Sequence, residues 1–156
     1  MGVTFEVCKD GEKYISLTEH SIKNVLFDSD KETELSPRLH TITRDLVIEG
    51  LINTDLMNEA PKQLLDDHGD PLVDEDGEPQ YALREIDSVR QLANWAIIPE
   101  YCKCYCDVCI QLRDARGEFV NEDEFECMFV EYYKESFDID HGNGYFTIHM
   151  REREIV

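Results

Sequence analysis

The sequence predicts a mainly β fold: a small antiparallel β-barrel or sandwich with one flanking α-helix, over about residues 85–97. Three observations predict it. Apolar and polar residues alternate in several short runs, bounded by turns such as Lys9-Asp-Gly-Glu12 and Asp114-Ala-Arg-Gly117. A single segment carries a clear three- and four-residue apolar spacing. Strands joined by short turns, with one good helix, favour antiparallel pairing over helical crossovers. The 156 residues fit one domain, 1–156, and a hydrophobic content of 42% is enough for a real core.

Residues 3–8, Val-Thr-Phe-Glu-Val-Cys, alternate and open a hairpin through the turn at 9–12. Tyr14 to Phe27 holds two apolar runs, with room for a strand in each. Asp28 to Glu34 reads as a polar loop. His40 to Ile52 is rich in Thr, Ile and Val and reads as strand. Residues 66–80 hold seven acids, four Gly or Pro and no Lys or Arg, which predicts a mobile loop inserted within the domain. In 85–97, Ile86, Val89, Leu92, Ala93 and Ala96 share a helical face, with Trp95 beside them. Asp87 or Ser88 is placed to cap its start, and Pro99 marks its end. From Cys102 the period becomes two. Cys102, Cys104, Cys106, Val108, Ile110 and Leu112 fall on one strand face, and Lys103, Tyr105, Asp107, Cys109, Gln111 and Arg113 on the other. Two further strands follow the turn at 114–117. One runs through Phe125–Tyr133 and the other through Tyr145-Phe-Thr-Ile-His-Met150, joined by a polar, glycine-bearing connection.

The net charge of −20 excludes nucleic acid as a partner, because phosphate recognition rests on Lys and Arg. It equally disfavours docking on anionic membranes. No stretch has the length of a transmembrane span. The N-terminal residues have no basic segment followed by an apolar one, and the residues after Gly2 lack the myristoylation pattern. Six cysteines without an export signal read as reduced cytosolic thiols. The expected location is the cytoplasm, with any export by a route other than a cleaved signal.

Three chemistries are candidates. Cys102-x-Cys104-x-Cys106-x-x-Cys109 contains one C-x-x-C, but thiols spaced by two along a strand lie about 6–7 Å apart, too far to share one ion. Buried core thiols are the stronger reading. The acidic stretches Asp66–Glu78 and Asp138–Gly144 carry fragments of a calcium loop without its full ligand order, so solvated acidic loops are expected there. No G-x-S-x-G, H-E-x-x-H or phosphate-cradling glycine loop is present, so no catalytic residue, metal site or cofactor is assigned and an enzyme is not expected.

The strand through 125–133 is apolar on both sides. By strict alternation, Phe125, Cys127, Phe129 and Tyr133 share one face and Met128, Val130 and Tyr132 the other. Both faces then need cover, the second from the Trp95 helix or from another subunit.

Trp95-Ala-Ile, the strand ending Ile110-Gln-Leu-Arg, Phe125-Glu-Cys-Met-Phe-Val-Glu-Tyr-Tyr-Lys-Glu-Ser-Phe-Asp138 and Tyr145-Phe-Thr-Ile-His-Met-Arg-Glu152 together resemble the C-terminal half of Hcp-like (haemolysin-coregulated) proteins. These are inner-tube components of type VI secretion systems, related to phage tail-tube proteins. The resemblance covers about residues 85–154. Over 1–52 it is limited to a β-rich pattern and a loop with Ser36-Pro-Arg38. The acidic insertion and the cysteine run are not expected of the family. The resemblance implies a barrel with a flanking helix, a homohexameric ring, stacking of rings into a tube, and delivery by a contractile apparatus together with a secreted effector or spike protein. Met128, Val130, Tyr132 and Trp95 are then the candidate subunit-contact residues. The alternative is a cytosolic acidic binding module holding zinc or calcium through the cysteines, such as Cys104, or the acidic loop, such as Asp74.

Overall fold

The computed structural model describes residues 1–31, 42–52, 60, 62–99 and 105–152. Cys102, Cys104 and Ser36–Arg38 lie outside them. Among the described residues, seven strands and one helix follow in order: β1 (Gly2–Lys9), β2 (Glu12–Thr18), β3 (Ile22–Lys31), β4 (Ile42–Ile52), α1 (Glu85–Ala96), β5 (Cys106–Arg113), β6 (Phe119–Asp138) and β7 (Asn143–Glu152). They form one sheet in the order β2-β1-β5-β6-β7-β4-β3, and every neighbouring pair is antiparallel. The mainly β, one-helix expectation holds. One boundary differs: β3 runs through Asp28–Lys31, which the polar composition had assigned to a loop, because these residues pair with Ile42–Asp45 of β4.

The connectivity forces this sheet to roll up. β2 and β3 are its two edges, yet only Glu19, His20 and Ser21 join them. Laid flat, seven strands would hold the edges about 29 Å apart, at roughly 4.8 Å per spacing. The steps from Thr18 to Ile22 span at most about 14 Å. The roll brings Phe27 of β3 onto Phe125 of β6, stacked with ring centroids 6.3 Å apart and planes 12° apart. No ladder joins β2 to β3 among the described residues, so the barrel stays open along that seam.

The concave face is the core. Val3, Phe5 and Val7 of β1, Ile15 and Leu17 of β2, Leu46 and Ile48 of β4, Cys106, Val108 and Ile110 of β5, and Phe146, Ile148 and Met150 of β7 are all buried there. Period-two alternation makes this possible, since each strand turns one set inward and the polar set outward. Gly50 marks a close approach: a Cβ there would sit 2.3 Å from the Ser21 carbonyl oxygen and 2.5 Å from Cζ of Phe146. Arg44 lies over the Phe125 ring at 4.4 Å and donates from Nε to both carboxylate oxygens of Glu152, at 3.0 and 3.1 Å.

Helix α1 turns Val89, Leu92 and Trp95 into this core. It also covers one sheet edge. Ser88 Oγ accepts from the Ser16 amide at 3.0 Å, and Glu85 accepts from the Thr18 amide at 2.7 Å, from Thr18 Oγ1 and from Ser21 Oγ at 2.6 Å. Helix side chains thus occupy donors that an exposed edge strand would offer to another chain. This corrects the expected cap. Asp87 and Ser88 lie inside the first turn; the N-cap is Arg84, which makes no side-chain cap bond and instead pairs with Asp87 at 2.7 Å.

Candidate assembly surface

The candidate contacts hang on β6, and β6 does not alternate strictly. Cys106 pairs with Met128 but Val108 pairs with Phe125, so Glu126 and Cys127 together oppose Asp107 alone. Cys127, one of the two bulged residues, sits at φ 54, in the left-handed region. A second register shift lies between Val130 and Tyr132. Each bulge exchanges the two faces of the strand. Phe125, Met128, Val130 and Tyr133 therefore all pack on the core, while Tyr132 turns out. Phe129, half-buried and edge-on to Tyr105, stays on the other face with Tyr132.

This regroups the four candidate contact residues. Trp95 and Met128, at 2% and 0% exposure, are enclosed in the chain's own core, and Val130 packs partly buried against it. Tyr132 alone of the four presents its side chain to solvent, at 52% exposure. The bulges move Met128 inward, where the helix bearing Trp95 helps to cover it. No glycine announces the bulge at Cys127, so nothing in the local residue pattern signals it.

Around Tyr132 the convex face carries a charged network. Tyr132 opposes His149 across the β6–β7 ladder. Arg151 donates to both carboxylate oxygens of Asp45, at 2.8 and 3.1 Å, and lies 3.4 Å from Glu131. His149 Nε2 is buried, 3.3 Å from Asp45 Oδ2 and 3.6 Å from Glu131 Oε2, without an aligned hydrogen bond. The guanidinium of Arg151 holds the Asp45 carboxyl below its usual range, against the opposing effect of burial. Asp45, Glu131 and His149 are close enough for a cation, and Arg151 already supplies a positive charge there. Nearby, burial and the Glu135 carboxylate, which accepts its hydroxyl, push the Tyr133 phenol well above its ordinary range.

Among the described residues, β6 is bonded from Phe129 to Asp138 to β7 only, its ladder to β5 ending at Met128. That half of β6 has an open flank among the described residues. Large apolar side chains are exposed along it and at the hairpin that follows: Tyr132, Phe137 at 60%, Ile139 at 91% and Tyr145 at 43%. An open strand flank beside exposed aromatics is suited to contact with another chain.

Among the described residues, the cysteines and acidic loops do not converge on one site. Cys106 is buried and Cys109 lies on the opposite face of β5, so the two cannot share an ion. Cys109, Glu122 and Glu124 do bring donor atoms within 4.8 Å of one another on the convex face. Burial and then these two carboxylates push the Cys109 thiol up, which favours its protonated form. In 66–80, Asp66 Oδ1 accepts from the amides of His68 and Asp70, and Asp74 Oδ1 accepts from those of Asp76 and Glu78, all at 2.9 Å. These aspartates shape turns, and the segment expected to be mobile is hydrogen-bonded throughout its length.

No protein-family model matches the chain, and no curated protein matches it. Among solved structures, Hcp1 from Flavobacterium johnsoniae is similar, at 15% identity and a TM-score of 0.47, covering 98% of this chain and 91% of that one. No helix among the described residues is long and apolar enough to cross a membrane.

Proposed function

We propose that this chain is a structural building block of a contractile injection apparatus of the type VI secretion or phage-tail kind. It assembles without catalysis into homo-oligomeric rings, six copies to a ring, that stack into a tube. The observation that carries this reading is the course of residues 85–152. The segments that resemble the Hcp-like family fold consecutively as α1, β5, β6 and β7, and lead to a half of β6 with an open flank and an outward Tyr132. A ring neighbour placed against that flank would cover Tyr132 and Phe137. A secreted effector or spike protein is the partner such a tube would carry, and passage through the apparatus would be its route out of the cytoplasm.

The net charge of −20 makes copies repel, so assembly should strengthen as salt screens them. Native mass spectrometry and light scattering across protein and salt concentration test the reading. A hexamer that Tyr132→Glu converts to folded monomer is the expected result. Monomer under every condition, or a hexamer indifferent to Tyr132→Glu, would sink it.

A second reading, an acidic metal-binding module, has the Cys109, Glu122 and Glu124 grouping in its favour. Elemental analysis of the purified protein separates the two. Stoichiometric zinc or calcium that disappears in Cys109→Ser supports the module, and a metal-free ring supports the first reading.

A further inference from the structure

Residues 62–83 are built from an eight-residue repeat. Gln63-Leu-Leu-Asp-Asp-His-Gly-Asp70 aligns with Pro71-Leu-Val-Asp-Glu-Asp-Gly-Glu78, and Pro79-Gln-Tyr81 begins a third copy. The three copies close on one another. The Leu64 amide donates to the Gln80 carbonyl, Gln80 to Leu72, and Leu72 to Leu64, each at 2.9 Å. Each turn is fixed by its aspartate and by a glycine at φ +81, Gly69 in one and Gly77 in the other. The result is an ordered three-ply arm with its central amides and carbonyls bonded inside it.

What the arm offers outward is side chains of two kinds. Leu65, Val73 and Tyr81 occupy the same repeat position and are 57%, 54% and 54% exposed. Leu64, Leu72 and Leu83 of the arm are exposed as well. At the turns, the side chains of Asp67, Asp70, Glu75, Asp76 and Glu78 have no cationic partner among the described residues. Exposed apolar side chains on the same arm as unpaired carboxylates suit an occupant that is apolar and basic together. A second copy of this chain fits poorly: seven of the acids lie in 66–80, so the rest of a copy still carries −20 + 7 = −13.

We infer that the arm is a docking surface for a basic segment of another protein, one in which Lys or Arg flanks large apolar side chains. The apolar residues would pack on Leu65, Val73 and Tyr81, and the cations would meet the acids of the two turns. This goes beyond ring formation, which the flank of β6 would serve, and it does not depend on it.

The test uses the full chain and a fluorescent synthetic peptide of alternating lysine and leucine, titrated by anisotropy at physiological ionic strength. Three variants accompany the parent: Leu65→Ser with Val73→Ser and Tyr81→Ser; Asp67→Asn with Asp70→Asn, Glu75→Gln, Asp76→Asn and Glu78→Gln; and, as a charge control, Glu118→Gln with Glu122→Gln, Glu124→Gln, Glu126→Gln and Glu135→Gln. Each arm variant should weaken binding at least about tenfold, and the control by less than about twofold. A Trp95 unfolding transition at the parent's midpoint shows that the arm variants keep their core. Equal weakening by the control variant would mean non-specific charge attraction and overturn the inference. So would equally tight binding of an all-lysine peptide, which leaves the apolar patch idle. Concentration-dependent self-association lost in the serine variant would assign the patch to a second copy and overturn the proposed occupant.

Discussion

Replacing Arg151 by methionine isolates the charged network on the convex face. Asp45 lies in the middle of β4 with its side chain only 7% exposed, and Arg151 forms a two-pronged contact with it from β7. Arg151→Met keeps much of the side-chain volume and leaves a nearly buried carboxylate without its guanidinium. Removing one partner of a buried pair costs about 3–5 kcal/mol. Arg151 is itself about one-third exposed and His149 remains beside Asp45, so the expected loss is smaller, about 2–3 kcal/mol. With a urea slope of about 2 kcal/mol per molar for a chain of this size, the midpoint should fall by about 1 M. The single tryptophan, Trp95, is 2% exposed and reports the transition by fluorescence.

The pH dependence has a definite sign. Arg151 holds the folded Asp45 carboxyl below its usual value, so this contribution is fully present above the unfolded value of about 3.9 and is lost as pH falls through the folded value. The gap between parent and Arg151→Met should therefore be widest near neutrality and close as Asp45 protonates. The double variant Asp45→Leu with Arg151→Met removes both charges and should recover most of the loss. A penalty under about 0.5 kcal/mol, a penalty unchanged in acid, or a double variant no better than the single one would refute the reasoning.

Cys127→Gly should stabilise the fold by about 0.5–1 kcal/mol and Cys127→Val should weaken it by more than that, since a β-branched side chain resists φ 54; equal urea midpoints for the two would argue against the bulge. Gly50→Ala should cost about 3 kcal/mol, because its Cβ meets the Ser21 carbonyl and the Phe146 ring, and an unaltered melting curve would contradict that close approach. Asp74→Ala removes two amide bonds from one arm turn. Hydrogen exchange at Asp76 and Glu78 should quicken by about tenfold while the Trp95 transition stays in place, and protection that persists would mean the turn holds without the aspartate.

Much of the fold was legible because it rests on local pattern. The alternation of Val3, Phe5 and Val7, the helical spacing of Val89, Leu92 and Trp95, and the turn at 9–12 each record which residues share a face, and each element sits where its pattern puts it. The contact residues were less legible. Alternation assigned Met128 and Tyr132 to one face, and it fails wherever a bulge inserts a residue, as between Val130 and Tyr132. Composition likewise read 66–80 as a mobile loop. Acid, Gly and Pro content describes the turns well, but the triangle of bonds among Leu64, Leu72 and Gln80 depends on segments eight residues apart meeting in space. The eight-residue repeat was visible in the letters and would have been the signal.

By itself, then, the sequence determined the class of the fold, the order of its strands and helix, and the negative charge that sets which partners it repels. These follow from side-chain period and composition, which do not depend on what lies across the sheet. The tertiary structure alone decided which side of β6 faces water, that Asp45 would meet Arg151, and that a three-residue link would roll seven strands into an open barrel. Those outcomes depend on register and closure, where a shift of one residue exchanges inside for outside.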